Sequence, residues 1–185
     1  MARPNRSRDK VLVAAAELAA ERGVSATTVD EIAARAGVAK GSVYYSFPSK
    51  EAIFESLIDE AIARVSGRIR DAREDAEPGA ALDAVARAML EGLEADPHVA
   101  KVVVGELFRT DRPWRATLAG HRAVLLDELG AALAADGRPA SGVDAAARLG
   151  AFIMVGFERL AFSPDRTIDE CVAAVGSGAP GTAAR

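Results

Sequence analysis

Between Gly37 and Phe47 the chain reads GVAKGSVYYSF, with two adjacent tyrosines, a lysine and two serines. Their hydroxyls and ammonium share one chemistry: each donates hydrogen bonds, and the lysine adds positive charge. Grouped on one short segment, such donors suit a surface of anionic oxygens, as on a phosphodiester backbone. Gly41 carries no Cβ and lets another backbone come close. Successive residues of a helix point about 100° apart, so Tyr44 and Tyr45 cannot be equally buried. Val43 and Phe47, four apart, fit the inward face better. The two rings would also suit the core of a small helical bundle, and the segment alone leaves both readings open.

The elements that must hold this segment are helical. Val11, Leu12, Ala15, Leu18 and Ala19 form one apolar stripe, ended by Gly23. Thr28 and Glu31, three apart, form a capping box at the start of a second helix, with Ile32, Ala33 and Ala36 facing inward. Gly37 stops it, and a tight turn, Ala36 to Ala39, leads into a short third helix that Pro48 breaks. Two short helices joined through such a turn have the layout of a helix-turn-helix, whose second helix enters the major groove. A long fourth helix starts at Ser49 and runs to about residue 75, with a sustained stripe through Ile53, Phe54, Leu57, Ile58, Ala61, Ile62, Val65 and Ile69.

The stretch TTVDEIAARAGVAKGSVYYSFPSKEAIFESL resembles the DNA-binding domain of the TetR family of bacterial transcriptional regulators. The resemblance runs without gaps over about residues 7–60. It implies an all-α homodimer: a three-helix, helix-turn-helix DNA-binding head and a larger C-terminal helical domain that binds a small molecule and dimerises. It also implies that Thr28, Lys40, Gly41, Ser42, Tyr44, Tyr45 and Lys50 contact DNA. Two positions depart from the family pattern. Ala39 replaces the usual serine, which removes a helix N-cap worth about 1 kcal/mol. Ser46 replaces a larger aromatic or histidine, so a contact from that position is not carried over.

Beyond residue 75 the chain reads as four or five more helices. The expected organisation is a DNA-binding domain over 1–50, an effector-binding and dimerisation domain over 51–178, and a disordered tail over 179–185. Residues 143–162 are apolar on more than one face, so that helix needs two partners. One would be its own core. The other would be a second copy, met through Ala147, Gly150, Ala151 and Met154, with Cys171 and Val175 of the last helix completing the interface. A central helix in a monomer is the alternative. Pockets in bundles form between helices. The candidate lining is Met89, Leu93, Leu107, Phe108, Trp114, Leu118, His121, Leu125, Phe152 and Phe157, with His121, Arg122 or Glu106 as polar contacts. Each also reads as ordinary core. The apolar bias points to a hydrophobic effector of unknown identity.

Charge supports the division. The chain carries −4 overall, yet residues 1–50 carry +3 and the remainder −7. A basic head on an acidic body suggests that the head alone meets a polyanion. The single Cys171 cannot form an internal disulfide, which suits a reducing cytosol. The opening MARPNRSRDK leads into a charged amphipathic segment, so no secretory leader is expected. The apolar run LGAFIMVGF falls well short of the ~20 residues that span a bilayer. No phosphate loop, nucleophile elbow or zinc spacing appears, and His98 and His121 fall on different predicted helices. The reading is therefore a cytoplasmic, non-enzymatic regulator without metal or cofactor, bound to inverted-repeat double-stranded DNA. The alternative is a DNA-binding protein of the same fold without an effector response.

Overall fold

The computed structural model describes residues 6–107 and 109–176, which are helical with no strand. Phe108 and the 179–185 tail lie outside the described residues. The helices are α1 (Arg6–Arg22), α2 (Val29–Ala36), α3 (Lys40–Ser46), α4 (Lys50–Glu74), α5 (Ala81–Ala95), α6 (Pro97–Leu107), α7 (Arg115–Ala135), α8 (Gly142–Phe162) and α9 (Ile168–Gly176).

They fall into two compact units. The first runs to Ala63 and takes in Asp96–His121; the second comprises Arg64–Ala95 and the chain from Arg122 onward. This division differs from the linear boundary expected at residue 50. The part of α4 up to Ala63, all of α6 and the start of α7 cluster with the head. The reason is packing: α6 lies against α1, and Trp114, 1% exposed, packs on Phe54 of α4 with ring centroids 6.3 Å apart.

In the first unit the α1 stripe is buried as its period requires, Val11, Leu12, Ala15, Leu18 and Ala19 all facing inward. Ile32 of α2, Val43 of α3 and Ile53, Phe54 and Ile58 of α4 close this core. Burying each large aliphatic side chain contributes about 1.5–3 kcal/mol. Ser49 caps α4, its Oγ accepting from the Ala52 N–H at 3.1 Å.

The second unit has its own core, in which Ile69, Leu82, Val85, Leu129, Leu133, Phe152, Cys171 and Val172 come together. Gly156 permits close packing of α8 on α5, because a Cβ there would sit 2.5 Å from Leu93 Cδ1. Asp136, just past α7, caps α5 by accepting from the Ala81 and Leu82 N–H groups, both at 3.0 Å. Glu128 of α7 is clasped by Arg70 (2.9 Å) and Arg73 (2.8 Å) of α4. Burial alone would raise the Glu128 pKa, but the two guanidiniums win and hold it below the ordinary carboxylate value.

Candidate nucleic-acid interface

The α2–α3 unit is fixed at three points. At its start, Thr28 Oγ1 accepts from the Glu31 N–H (3.3 Å), and Glu31 Oε2 accepts from the Thr28 N–H (3.0 Å) and hydroxyl (2.6 Å). This is the expected capping box. In the middle, Gly37 adopts φ 65°, a left-handed conformation that favours glycine, and its N–H turns back to the end of α2. Beyond it, Val38 N–H reaches Ala33 O at 3.0 Å, which sets the angle at which α3 leaves. At the far end, Val43 (0% exposed) and Phe47 (3%) anchor α3 in the core.

With those two residues inward, the others face out. Gly41 and Ser42 are exposed, Tyr44 is 48% exposed and Tyr45 91%. Neither tyrosine hydroxyl has a hydrogen-bond partner among the described residues. A phenol so exposed, on a helix held rigidly from behind, is an unspent donor. Ala39 occupies the α3 N-cap and makes no side-chain cap, as its methyl requires.

Three expected contacts stand differently. Thr28 is exposed, but its hydroxyl already serves the capping box. Lys40 is exposed and paired with Asp30 at 2.6 Å, which raises its pKa. This is a screened surface pair that a phosphate can displace. Lys50 departs most from expectation. Its ammonium donates to the carbonyls of Thr27 (3.1 Å), Val24 (3.2 Å) and Ser25 (3.4 Å). All three of its N–H donors are thus occupied on the α1–α2 loop, and its place is to hold that loop. The sequence offered no signal for this, because the acceptors are main-chain oxygens.

The pocket candidates are divided between the two units. Leu107, Trp114, Leu118 and His121 belong to the first unit; Met89, Leu93, Leu125, Phe152 and Phe157 belong to the second. Met89 and Phe152 lie in the core cluster of the second unit. His121 Nε2 meets Asp59 Oδ1 at 2.8 Å, Glu106 is taken by Arg112, and Arg122 is exposed.

Of the interface candidates, Ala147, Gly150 and Met154 (68% exposed) do face outward on α8, with Val143 (78%) on the same stripe and Ala151 half-buried beside it. Cys171 (0%) and Val175 (6%) correct the expectation. The nine residues of α9 spend their apolar face on α5 and α8, so these side chains are core.

A helix-turn-helix with outward-facing phenols on its second helix has a geometry that suits the major groove of DNA. The comparisons with known proteins agree. Residues 11–57 match the family model of the bacterial regulatory proteins of the tetR family. The transcriptional repressor KstR2 of Mycobacterium tuberculosis is 38% identical over 101 residues, covering 54% of this chain and 50% of that protein. The regulator RutR of Escherichia coli is 29% identical over 124 residues, 67% of this chain and 58% of that protein. The chain thus spans about half the length of the curated relatives it matches. Among solved structures, the fatty acid degradation regulator FadR from Bacillus halodurans shares the fold over 100% of both chains, with a TM-score of 0.83 at 23% identity. FadR from Bacillus subtilis, solved with stearoyl-CoA, has a TM-score of 0.72 at 24% identity, over 91% of this chain and 94% of that one. Residues 11–57 thus match the tetR-family DNA-binding region, and the whole chain shares the fold of solved regulators of this kind.

Among the described residues no helix is long and apolar enough to cross a membrane, and no group of three or more His, Cys, Asp or Glu is arranged to hold a metal.

Proposed function

We propose that this chain is a sequence-specific transcriptional regulator: a cytoplasmic homodimer that represses from an inverted-repeat operator and is released by a small hydrophobic effector. The observation that carries it is the outer face of α3. Ser42, Tyr44 and Tyr45 are exposed while Val43 and Phe47 lock the helix from behind. Tyrosine hydroxyls donating to phosphate position the protein, and Ser42 and Lys40 lie toward the N-terminal part of the helix, which reads base edges. The exposed stripe on α8 supports the dimer reading, because a second copy would cover Val143, Ala147, Gly150 and Met154 together. The relatives named as repressors support the direction of regulation, and the stearoyl-CoA bound by one structural neighbour supports an apolar effector.

Release is a population shift. The effector must favour the DNA-incompetent arrangement by the full free energy through which it moves the equilibrium. The 25-residue α4 is the candidate transmitter, since it is continuous from the head unit into the second unit. Selection of duplexes from a random pool tests this reading. An enriched inverted repeat with half-site centres roughly 34–36 Å apart, or a multiple of that, is expected. Folded dimer that enriches nothing, and carries no copurified ligand by mass spectrometry, would overturn it. If the repeat is enriched but no apolar compound releases it, the second reading stands: the same fold without an effector response.

A further inference from the structure

A cleft of about 290 Å³ opens in the first unit between the end of α1, the loop after it, and α6. It lies outside the α3 and α8 faces. Four cations line it, Arg22, Lys101, Arg109 and Arg112, against the single carboxylate of Glu106. In a chain of net charge −4, this is a concentration of positive charge in a concave site.

The cleft has a built frame. Glu106, its side chain 7% exposed, accepts from Arg112 Nε at 2.8 Å and Nη2 at 3.4 Å, so its charge is spent on that arginine. Arg112 is held further by the Trp114 ring, 5.5 Å away, and by Ser25 Oγ, which accepts from it at 2.8 Å. Arg109 reaches the same hydroxyl at 3.4 Å. With its oxygen accepting from two guanidiniums, Ser25 directs its own O–H elsewhere, as a donor. Arg22 pairs with Glu31 at 2.7 Å. Lys101 and Arg109 have no carboxylate partner among the described residues.

We propose that this cleft binds a phosphate group. A phosphate offers several acceptor oxygens and up to two negative charges, which matches two unpaired cations, a fixed guanidinium edge and a hydroxyl donor. Once bound, it ties α6 (Lys101, with Arg109 just beyond it) to the end of α1 (Arg22) and to the loop before Thr28. Occupancy therefore braces the segment that precedes the DNA-facing helices. The phosphate comes either from a phosphorylated small molecule or from the DNA backbone beside the operator. The site itself stands without the DNA-binding reading; only the second source rests on it.

Two arms distinguish the sources. In the first, inorganic pyrophosphate is titrated into the full-length protein without DNA, by calorimetry and thermal shift. Wild type is expected to bind, and the double variant Lys101→Gln/Arg109→Gln to lose at least tenfold in affinity, while Arg68→Gln, at an exposed position of α4 outside the cleft, binds as wild type. In the second, affinity for the enriched duplex is followed across a salt series. If the DNA backbone is the source, the double variant lowers the slope of log affinity against log salt by roughly one to two, close to one per lost contact. A result in either arm supports the site and names its source. If pyrophosphate binds neither form, or both equally, and the salt slope does not change in a variant that remains folded by circular dichroism, the proposal is overturned. Failure of the DNA-binding reading would appear separately, as absence of any enriched duplex, and leaves the pyrophosphate arm readable.

Discussion

Both α3 and α8 hold large side chains out in water, but with different surroundings. On α3, Tyr45 is 91% exposed and sits among Ser42, Gly41 and Lys40. On α8, Val143 (78%) and Met154 (68%) sit among Ala147 and Gly150. The first face has tyrosine hydroxyls with nothing to donate to among the described residues. The second has apolar area and small residues that let another backbone approach. The first suits a charged, oxygen-rich partner whose contacts weaken with salt; the second suits an apolar partner of matching shape, whose contacts do not. Exposure alone would have placed the two faces in one class, and their polar neighbours separate them.

The largest break in this comparison comes from Gly150→Glu. The position is exposed, a Cβ there meets nothing within 4 Å, and it lies mid-helix, where glycine costs about 0.8–1.0 kcal/mol relative to alanine. The isolated chain should therefore be no less stable. A carboxylate in the middle of the α8 stripe should nevertheless separate the dimer, seen as halved mass in sedimentation at micromolar concentration. Losing the second head should weaken operator binding at least about a hundredfold, since a linked pair gains that much over a single site. A variant that stays dimeric would move the interface away from α8.

Next in size is Lys50→Met, which keeps the apolar stem and removes the ammonium. Three carbonyls of the α1–α2 loop lose their donor. Hydrogen bonds from charged groups contribute about 1.5–3 kcal/mol, so urea denaturation should show a loss of about 2 kcal/mol. DNA affinity of the folded protein should change little. Undiminished stability with a lower salt slope would instead mean that Lys50 turns onto phosphate in the complex. Tyr45→Phe is the smaller counterpart on the DNA face. It deletes one hydroxyl from a ring that packs on nothing, so stability should be unchanged. Affinity should fall by about tenfold on all duplexes alike, one hydrogen bond's worth. Ser42→Ala should also alter sequence preference, which repeating the pool selection would read.

What the sequence disclosed and what it hid divide along one line. The stripe from Val11 to Ala19, the Thr28–Glu31 box and the inward pair Val43 and Phe47 were legible, because each is set by spacing within a turn or two of helix. The place of Lys50 was not, because its acceptors are backbone oxygens 23 to 26 residues earlier. The cationic cleft was hidden too, since Arg109 and Arg112 meet Ser25 across 84 and 87 residues. In sequence that connector reads only as a link between helices. Cys171 and Val175 misled for another reason. An apolar face shows that a partner exists, but not whether it is the same chain or a second copy. One local signal was also passed over: Ser141 and Asp144 form a capping box on α8, hidden in a Pro- and Gly-bearing stretch that reads as loop.

The smallest predicted effect uses these boxes to compare the two regions again. In α2 the Glu31 pKa is lowered, first by the hydrogen bond from the Thr28 hydroxyl, then by Arg22 and by the Thr28 N–H. In α8 the Ser141 hydroxyl and N–H lower that of Asp144. A carboxyl whose folded pKa lies below its unfolded value contributes stability that is fully present above the unfolded pKa. That contribution is lost as pH falls through the folded one. The α2 cap should therefore loosen on acidification through about pH 4.3, where an unperturbed glutamate is half protonated, and the α8 cap through about pH 3.9, the aspartate value, and below. Glu31→Gln keeps an acceptor for the Thr28 N–H but removes the charge that Arg22 pairs with, so it should lower neutral-pH stability by the part the carboxylate contributes and remove the titration. Urea midpoints at pH 7, 5, 4 and 3 should fall less steeply for this variant than for wild type. Asp144→Asn should make the matching change in the second region. Parallel curves for Glu31→Gln and wild type would mean that the α2 cap does not hold its carboxylate, and the acid sensitivity would then belong to the α8 side alone.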